Sequence, residues 1–424
     1  MRNYLSVLDT IERAGTKAWI VGDSTRMIFM GIQPANLTFA VEPCDLEALA
    51  LKLGSSGGVD TGGKFPVLRG SILDMTGEIY LLQGDSIEED LARRDFSINA
   101  IAIRSDGGVV DPFNGRHDIR NRVVRLTGDD VSLLHQDPLR IVRMLRFAAE
   151  LGMDIFWKSE TDVRTFIKSN PDVIRDTPSE RWGREILSGM RRCPWNFISL
   201  CDGYRLLPFF LKELEALKTL TDKQGRTFFD RTLQLLRRIQ DFIKTHRPLD
   251  EDLIITLSAL FVHIERQSQE PALAITARYL KDWNAGSEIS NQVLAVLENY
   301  RDFFEPRTEK ELCSSVLAHG SEATGTMIDF AFCYADVDES KSREILTGNH
   351  WKLKQVLRRF NEVKRKTDGE TRFLKGDEVM ELLNLRPGRK VGEVLHALDM
   401  AVGTGVVSSK EGAKAWVLKS GPAL

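Results

Sequence analysis

Long apolar runs are missing from this sequence, and its five cysteines are scattered. No stretch approaches the roughly 20 apolar residues that a membrane-spanning helix needs. The first residues, MRNYLSVLDTIERAG, carry charges where a secretion signal would be apolar. Without a C-x-x-C pair, the cysteines argue against a disulfide framework and a zinc knuckle. The composition therefore predicts a cytoplasmic protein with no membrane partner.

A strong net charge is also missing, since the chain carries a formal charge of −3 at pH 7. Binding of RNA needs only a local basic face, and WKLKQVLRRFNEVKRK at residues 351–366 provides one. This segment is equally consistent with a solvated helix face and with contacts to phosphates. The residues expected to bind RNA are Lys352, Arg358, Arg359 and Lys364.

The periodicity of the sequence changes near residue 128. Before it, short β-like runs (AWIV, TFAVE, EIYLL, AIAIR, VVRL) alternate with glycine-rich turns, which indicates an α/β segment. After it, long amphipathic segments predominate, among them PLRIVRMLRFAAEL and FFDRTLQLLRRIQDFI. The predicted class is α+β, with an α/β head followed by helices.

Two segments combine secondary-structure signals with polar residues. WIVGDSTRMIFMG at 19–31 predicts a strand, a tight turn and a helix that Ser24 or Thr25 caps, with free N–H groups that suit a phosphate. In the helix after residue 136, Asp137, Arg140, Arg143 and Arg146 fall opposite an apolar face. Asp137 and Arg140 would either read the edge of a base or form an intrahelical ion pair.

Three polar segments follow one another in this part of the chain: RRDFSINAIAI, DPFNG and QDPLRIVRMLRFAAELG. In order and spacing they resemble motifs of class II tRNA nucleotidyltransferases and bacterial poly(A) polymerases, which add nucleotides to RNA 3′ ends without a nucleic-acid template. RRDFSINAIAI is similar to the family's R-R-D-F-T-x-N-A-x-A, and QDPLRIVRMLRFAAELG to its E-D-x-x-R helix, with Gln136 in place of Glu. DPFNG, SERWGREI, YRLLPFFLKEL and the segment 385–417 extend the resemblance over nearly the whole chain.

The resemblance implies a polymerase-beta-like nucleotidyltransferase head and an all-helical neck, body and tail. The expected bounds are 1–128 for the head, 129–190 for the neck, 191–350 for the body and 351–424 for the RNA-binding tail. Asp137 and Arg140 would face the base of ATP or CTP. The other residues expected to bind the nucleotide are Gly22, Arg26, Arg94, Asp95, Asn99, Arg143 and Arg146.

The acids that the family uses to hold metal are missing. The resemblance implies a D-x-D strand whose two carboxylates bind divalent ions such as Mg²⁺, but GIQPANLTFAVE has Asn36 and Thr38 at those positions. Asp74 aligns with a third metal-binding acid. Asp23, which replaces a glycine of the family's G-G-x-V-R-D, is expected to be a poor substitute, because it would repel a triphosphate.

Three interpretations follow. In the first, the protein binds a nucleoside triphosphate and a tRNA or other RNA 3′ end, and transfers nucleotides weakly or not at all. The alternative is an active Mg²⁺-dependent enzyme that adds CCA, CC or A. In the third, nucleotide binding is lost as well, and Arg93, Arg94, Asp95, Asp137 and Arg140 are only a structural salt-bridge network.

Overall fold

The computed structural model describes residues 2–62, 65–72, 75–128, 130–246, 252–264, 270–338, 342–367 and 370–423. Asp74, the predicted third metal-binding acid, lies outside the described residues. Within these ranges, no helix has the length and apolar character that crossing a membrane requires.

The strands of the described residues lie mainly in the first 124 positions. They are β1 (Ala18–Val21), β2 (Leu37–Val41), β3 (Gly58–Asp60), β4 (Val67–Ile72), β5 (Met75–Leu81), β6 (Ala102–Ile103), β7 (Val109–Val110), β8 (Val123–Val124) and β9 (Asp154–Ile155). The strands expected at AWIV, TFAVE, EIYLL, AIAIR and VVRL are all present.

Helices fill most of the remaining described sequence. They are α1 (Arg2–Arg13), α2 (Asp23–Phe29), α3 (Leu46–Leu53), α4 (Ile87–Ala92), α5 (Gly115–Asn121), α6 (Asp130–Gln136), α7 (Leu139–Leu151), α8 (Trp157–Ser169), α9 (Pro171–Arg175), α10 (Ser179–Arg192), α11 (Pro194–Gly203), α12 (Leu207–Phe210), α13 (Lys212–Ala216), α14 (Phe228–His246), α15 (Asp252–Phe261), α16 (Ala272–Asp282), α17 (Ser287–Asn299), α18 (Glu309–His319), α19 (Ser321–Ala335), α20 (Arg343–Lys366), α21 (Gly376–Leu383), α22 (Arg389–Gly403) and α23 (Lys410–Ser420). The predicted α+β class is confirmed.

The described residues divide into two compact units. The first comprises Met1–Glu185 and Leu200–Phe209, and the second comprises Ile186–Ser199 and Phe210–Leu424. The finer division into head, neck, body and tail stays a prediction. In the second unit, α20 packs against α18, α19 and α22, and a separate apolar cluster joins the end of α20 to α21, α22 and α23.

The first unit contains a seven-stranded mixed sheet in the order β3-β4-β5-β2-β1-β6-β7, in which β2 and β5 are parallel. One face is covered by apolar residues of α1 and α3, including Leu8 and Leu49, which pack with Phe39 and Ile79. Part of the other face is covered by Ile87 and Leu91 of α4. The sheet is therefore buried on both sides where these helices pack.

Beyond α4, the second face carries polar side chains. Successive residues of a strand point to opposite faces, so the residues next to the buried Phe39, Ile79 and Leu68 point away from α1 and α3. The cross-strand register aligns Thr38 with Glu78 and Glu78 with Arg69. We call Asp60, Arg69, Glu78 and Thr38 the polar row.

One local prediction is wrong, because neither Ser24 nor Thr25 caps α2. The helix begins at Asp23 with Gly22 as its N-cap, and no side chain caps it. The Ser24 and Thr25 side chains are buried, and their hydroxyl groups form hydrogen bonds with nearby backbone groups. Ser24 Oγ accepts from Thr38 N over 2.9 Å, and Thr25 Oγ1 donates to Gly22 O over 2.8 Å.

Candidate functional site

The turn between β1 and α2 depends on glycine. Gly22 has φ 71°, and a Cβ there would lie 3.1 Å from Arg94 Nη1. Both the left-handed backbone and the close approach of Arg94 favour a residue without a side chain. The turn therefore places the start of α2 directly beside an arginine that the sequence analysis assigns to nucleotide binding.

Asn36 and Thr38 lie at the start of β2, where the resemblance implies two metal-binding acids. Thr38 belongs to the strand, whereas Asn36 precedes its first residue and is exposed. Thr38 Oγ1 donates to Asp23 Oδ1 over 3.4 Å. Asp23, which stands where the resemblance implies a glycine, therefore brings one carboxylate to this strand. Asp23 is thus adjacent to the position where the family has its second aspartate.

Glu78 is a second carboxylate that the sequence analysis did not identify. It lies opposite Thr38 in the parallel pairing of β2 and β5, so both side chains share a face. Its Oε1 accepts from Arg69 Nε over 2.9 Å, and Arg69 Nη1 donates to Asp60 Oδ2 over 2.8 Å. The alternation of polar and apolar residues in TGEIYLL was the available signal, since it places Glu78 and the buried Ile79 on different faces of the sheet.

These donors do not fit a clamp for two divalent ions. Such a clamp needs at least two anions close to one another, because Mg²⁺ loses its bound water molecules with difficulty. At β2 the described residues offer the Asp23 carboxylate and two neutral side chains, while Glu78 is already paired with a cation. In the described part of the chain, no three His, Cys, Asp or Glu residues cluster closely enough to hold a metal ion.

Arg94 is held firmly beside the turn. It donates to Asp90 Oδ2 over 2.9 Å and to Asn99 O over 3.2 Å, and it also bonds to the Tyr80 hydroxyl. Asp90 is only 3% exposed, so this is a buried ion pair with most of its hydrogen bonds satisfied. Burial raises the pKa of Tyr80, which keeps the phenol protonated.

Arg26 joins the same group of residues through Asn99. Its Nη1 donates to Asn99 Oδ1, and its guanidinium lies 5.0 Å from the centre of the Phe147 ring. Burial lowers the pKa of Arg26, and the carboxylate of Asp23 partly opposes that effect. The structure therefore brings Gly22, Arg26, Arg94 and Asn99 together, as the sequence analysis expected of a single site.

The predicted helix after residue 136 is present as α7, with buried residues on one face and the arginines on the other, but it begins at Leu139, so Asp137 precedes the helix. Arg143 Nε donates to Glu185 Oε1 over 2.9 Å, and its Nη1 donates to Asp95 Oδ2 over 3.2 Å. Arg146 Nε donates to Glu185 Oε2 over 2.8 Å, and its Nη1 to Glu150 Oε1 over 3.0 Å. Both arginines are thus bound by carboxylates of the first unit.

Asp137 and Arg140 do not form the intrahelical pair that was one alternative. The ion pairs of the described residues join Asp137 to Arg181 over 3.0 Å and to Arg143 over 3.9 Å, and none joins it to Arg140. Arg140 Nη2 donates to Arg93 O over 3.5 Å. Its Nη1 is buried and has no hydrogen-bond partner among the described residues, which is costly for a charged donor.

The charge state of these arginines follows from their surroundings. Burial lowers the pKa of Arg140, and Asp95 and Asp137 only partly oppose it. For Arg143 burial acts in the same direction, but Glu185 and Asp95 outweigh it and raise the pKa above its ordinary value. Arg143 is therefore already paired with carboxylates. Arg140, by contrast, has an N–H group at Nη1 that could donate to a ligand.

Two residues of SERWGREI that were not predicted to have a role form ion pairs with residues in and next to α7. Glu185 of α10 bridges Arg143 and Arg146, and Arg181 pairs with Asp137. Their spacing on one helix face was a signal, because residues four apart lie next to each other. The sequence does not give the distance between α10 and α7, and that distance decides which charges pair.

The basic helix of the second unit is α20, and its cations differ in their contacts. Lys352 Nζ donates to Arg307 O over 2.6 Å, and Arg359 Nη1 donates to Gly403 O over 2.9 Å. By contrast, Arg358 is 72% exposed, with Glu362 3.5 Å away, and Lys364 is exposed. Two of the four predicted RNA-binding residues thus hold backbone carbonyl groups of their own unit.

Comparisons with known proteins agree with this architecture. Residues 72–125 match the family model described as the poly A polymerase head domain. The A-adding tRNA nucleotidyltransferase of Deinococcus radiodurans is 27% identical over 94% of both chains. The crystal structure of the Bacillus stearothermophilus CCA-adding enzyme in complex with CTP superimposes with a TM-score of 0.64, at 22% identity, over 100% of this chain and 98% of that one.

The chain is similar to class II tRNA nucleotidyltransferases over nearly its whole length. A further relative, the CCA-adding enzyme of Lactobacillus helveticus, is 30% identical over 43% of this chain, and the match spans about half of that enzyme, 48%. The resemblance stated from the motifs is thereby confirmed.

Proposed function

We propose that this protein binds a nucleoside triphosphate, ATP or CTP, and the 3′ end of a tRNA or another RNA, and that it transfers nucleotides weakly or not at all. The observation that carries the second part is the contact of Thr38 with Asp23, where the family has two carboxylates. If a metal clamp contributes about 5 kcal/mol to the transition state, its loss slows transfer by roughly three to four powers of ten.

Nucleotide binding is supported by Arg140, whose buried Nη1 has no partner among the described residues. In our proposal this nitrogen donates to the base, and the adjacent Asp137 accepts from it. Arg94 and Asn99 face the sugar and triphosphate from beside Gly22. Arg143 and Arg146 are proposed to reach the same phosphates, and in that case they must exchange a carboxylate partner for a phosphate oxygen.

The names of the relatives support the RNA partner. One relative adds A to tRNA, and the superimposed CCA-adding enzyme was crystallised with CTP. In this chain the proposed RNA contacts are the exposed cations of α20 and the residues of the tail. Binding through such contacts is electrostatic and does not need the metal positions.

An active Mg²⁺-dependent enzyme that adds CCA, CC or A is the second candidate, and two carboxylates favour it. Asp23 lies beside Thr38, and Glu78 lies opposite Thr38 in the pairing of β2 and β5. In this candidate one ion held by Asp23, Thr38 and Glu78 supports transfer at ordinary rates, provided that Glu78 gives up Arg69.

One experiment separates the two candidates. Purified protein is incubated with Mg²⁺, each of the four nucleoside triphosphates in turn, and tRNA that lacks its 3′ end, and incorporation is measured alongside binding of ATP and CTP. Binding with incorporation at or below about 10⁻³ s⁻¹, a few events per hour, supports the proposal. Incorporation at ordinary enzyme rates, roughly 1 s⁻¹ or more, would overturn it in favour of the second candidate. A protein that binds neither nucleotide nor RNA would overturn both.

A further inference from the structure

Arg69 occupies an unusual position for a cation. It lies in the polar row, on β4, between Asp60 of β3 and Glu78 of β5. Its Nη1 is 2.8 Å from Asp60 Oδ2, and its Nε is 2.9 Å from Glu78 Oε1. The guanidinium therefore bridges two carboxylates on the face of the sheet where the family's strand presents its metal-binding acids.

Glu78 is the carboxylate that a divalent ion at this position would need. It pairs directly with Thr38 across β2 and β5, and Asp23 reaches Thr38 from the other side. Three oxygen donors of this kind, two of them anionic, are a minimal set for Mg²⁺ or Mn²⁺. In the structure, however, the Glu78 carboxylate accepts a hydrogen bond from Arg69.

We propose that the Arg69 guanidinium takes the place of a divalent cation on this face of the sheet. It satisfies Glu78 and Asp60 with a fixed positive charge, and the same charge repels a metal ion near Thr38. Arg69 is a positioning residue in this account, because it acts through Glu78. β2 lacks the two implied acids, and β4 carries a cation. Both features leave this face of the sheet without a need for a bound metal ion.

This inference rests on the loss of the metal clamp in the proposed function, but its test requires no nucleotide. The side chains of Arg69, Asp60 and Glu78 are 57%, 47% and 46% exposed, so their ion pairs contribute little to stability. Replacing Arg69 should therefore leave the fold intact. A failure to bind both ATP and CTP would overturn the proposed function and would leave the Mn²⁺ affinities unaffected.

The test is a Mn²⁺ titration of the full chain without nucleotide, in which free Mn²⁺ is followed by electron paramagnetic resonance. Arg69→Gln should bind Mn²⁺ at least about tenfold more tightly than wild type, because a charge within a few ångströms is removed and Glu78 is released. Arg69→Gln with Glu78→Gln should return to the wild-type affinity. Lys17→Gln is the matched control, since it breaks another exposed ion pair, with Glu42, 3.1 Å long, in the same unit.

Three outcomes would overturn the inference: equal Mn²⁺ affinity for wild type and Arg69→Gln, an equal gain in Lys17→Gln, or a gain that persists without Glu78. Thermal melting of each variant confirms that it is folded. Arg69→Met, which keeps the apolar part of the side chain, is the second variant if Arg69→Gln melts early. A gain in Arg69→Met that requires Glu78 supports the proposal equally.

Discussion

Glu185 accepts a hydrogen bond from Arg143 over 2.9 Å with one carboxylate oxygen, while its other oxygen accepts from Arg146. The Glu185 side chain is 12% exposed, and the arginines are 25% and 14% exposed. Arg143 also pairs with Asp95, and Arg146 with Glu150, but without the bridging carboxylate each of these nearly buried guanidinium groups loses one of its counterions. Glu185 is therefore a main determinant of how α7 presents its arginines.

Glu185→Gln should lower the free energy of unfolding by about 2 kcal/mol, since an uncharged amide satisfies the two guanidinium groups less well. Urea denaturation measures this. The matched control is Glu180→Gln on the same helix, whose pair with Arg184 is more than half exposed and should cost less than about 0.5 kcal/mol. Equal effects of the two changes would show that the buried network adds no stability.

Arg140→Ala should abolish binding of ATP and CTP, because it removes the buried donor that has no protein partner among the described residues. In wild type, affinity should change little when Mg²⁺ is replaced by a chelator, since the described donors do not form a metal clamp. Calorimetry with and without chelator measures both effects. Arg184→Ala, which removes an exposed arginine of α10, is the control.

Tight binding that disappears on chelation would mean that the metal positions work, against this prediction. Unchanged affinity in Arg140→Ala would show that its free Nη1 faces something other than a nucleotide. The second result would also remove the proposed role of Asp137, which depends on Arg140.

Much of the fold followed from periodicity, because α7, α14 and α22 have one clearly apolar face and long helices carry strong signals. The strands β3, β4, β7 and β9 were not predicted, because three of them have only two or three residues and the sequence of β4, VLRGSI, does not alternate between apolar and polar residues. The site was predicted in part. Gly22, Arg26, Arg94 and Asn99 meet as the motifs indicated, because they lie within or next to contiguous motif segments.

The partners of the site residues were harder to predict. Asp90, Tyr80 and Glu185 satisfy arginines that the motifs had assigned to a nucleotide. A sequence contains charges but not the side-chain distances that decide which of them pair. For the same reason Glu78 was overlooked, since its importance depends on the register of β5 with β2.

RNA binding should weaken as salt rises, with α20 as a main contributor. Arg358→Gln with Lys364→Gln should lower the slope of log affinity against log salt by roughly 0.7–0.9 for each lost phosphate contact. Lys352→Gln with Arg359→Gln should also destabilise the second unit, because these side chains hold the carbonyl groups of Arg307 and Gly403.

A filter-binding titration over a range of salt concentrations measures these slopes. Lys281→Gln with Lys310→Gln removes the same charge from exposed positions outside α20 and should leave the slope unchanged. An unchanged slope for the Arg358 and Lys364 pair would show that this helix face is only solvated.

Nucleotide transfer should rise when the missing acids are restored. Asn36→Asp and Thr38→Asp put two carboxylates at the start of β2, but the second would stand where the Thr38 hydroxyl now lies 3.4 Å from Asp23 Oδ1. Two anions that close repel each other unless a metal ion lies between them. Each single change should therefore contribute less than half of the gain in free energy, and the pair should be strongly non-additive.

Asp23→Gly removes that repulsion and restores the glycine of the phosphate turn, and Met27→Asp restores the last residue of the turn motif. We expect incorporation into truncated tRNA with Mg²⁺ to increase from wild type through the double variant to the quadruple variant. An inactive quadruple variant that still folds and binds ATP would show that lost carboxylates do not limit this protein. A wild type as fast as the quadruple variant would show that Asp23, Thr38 and Glu78 already form a sufficient site.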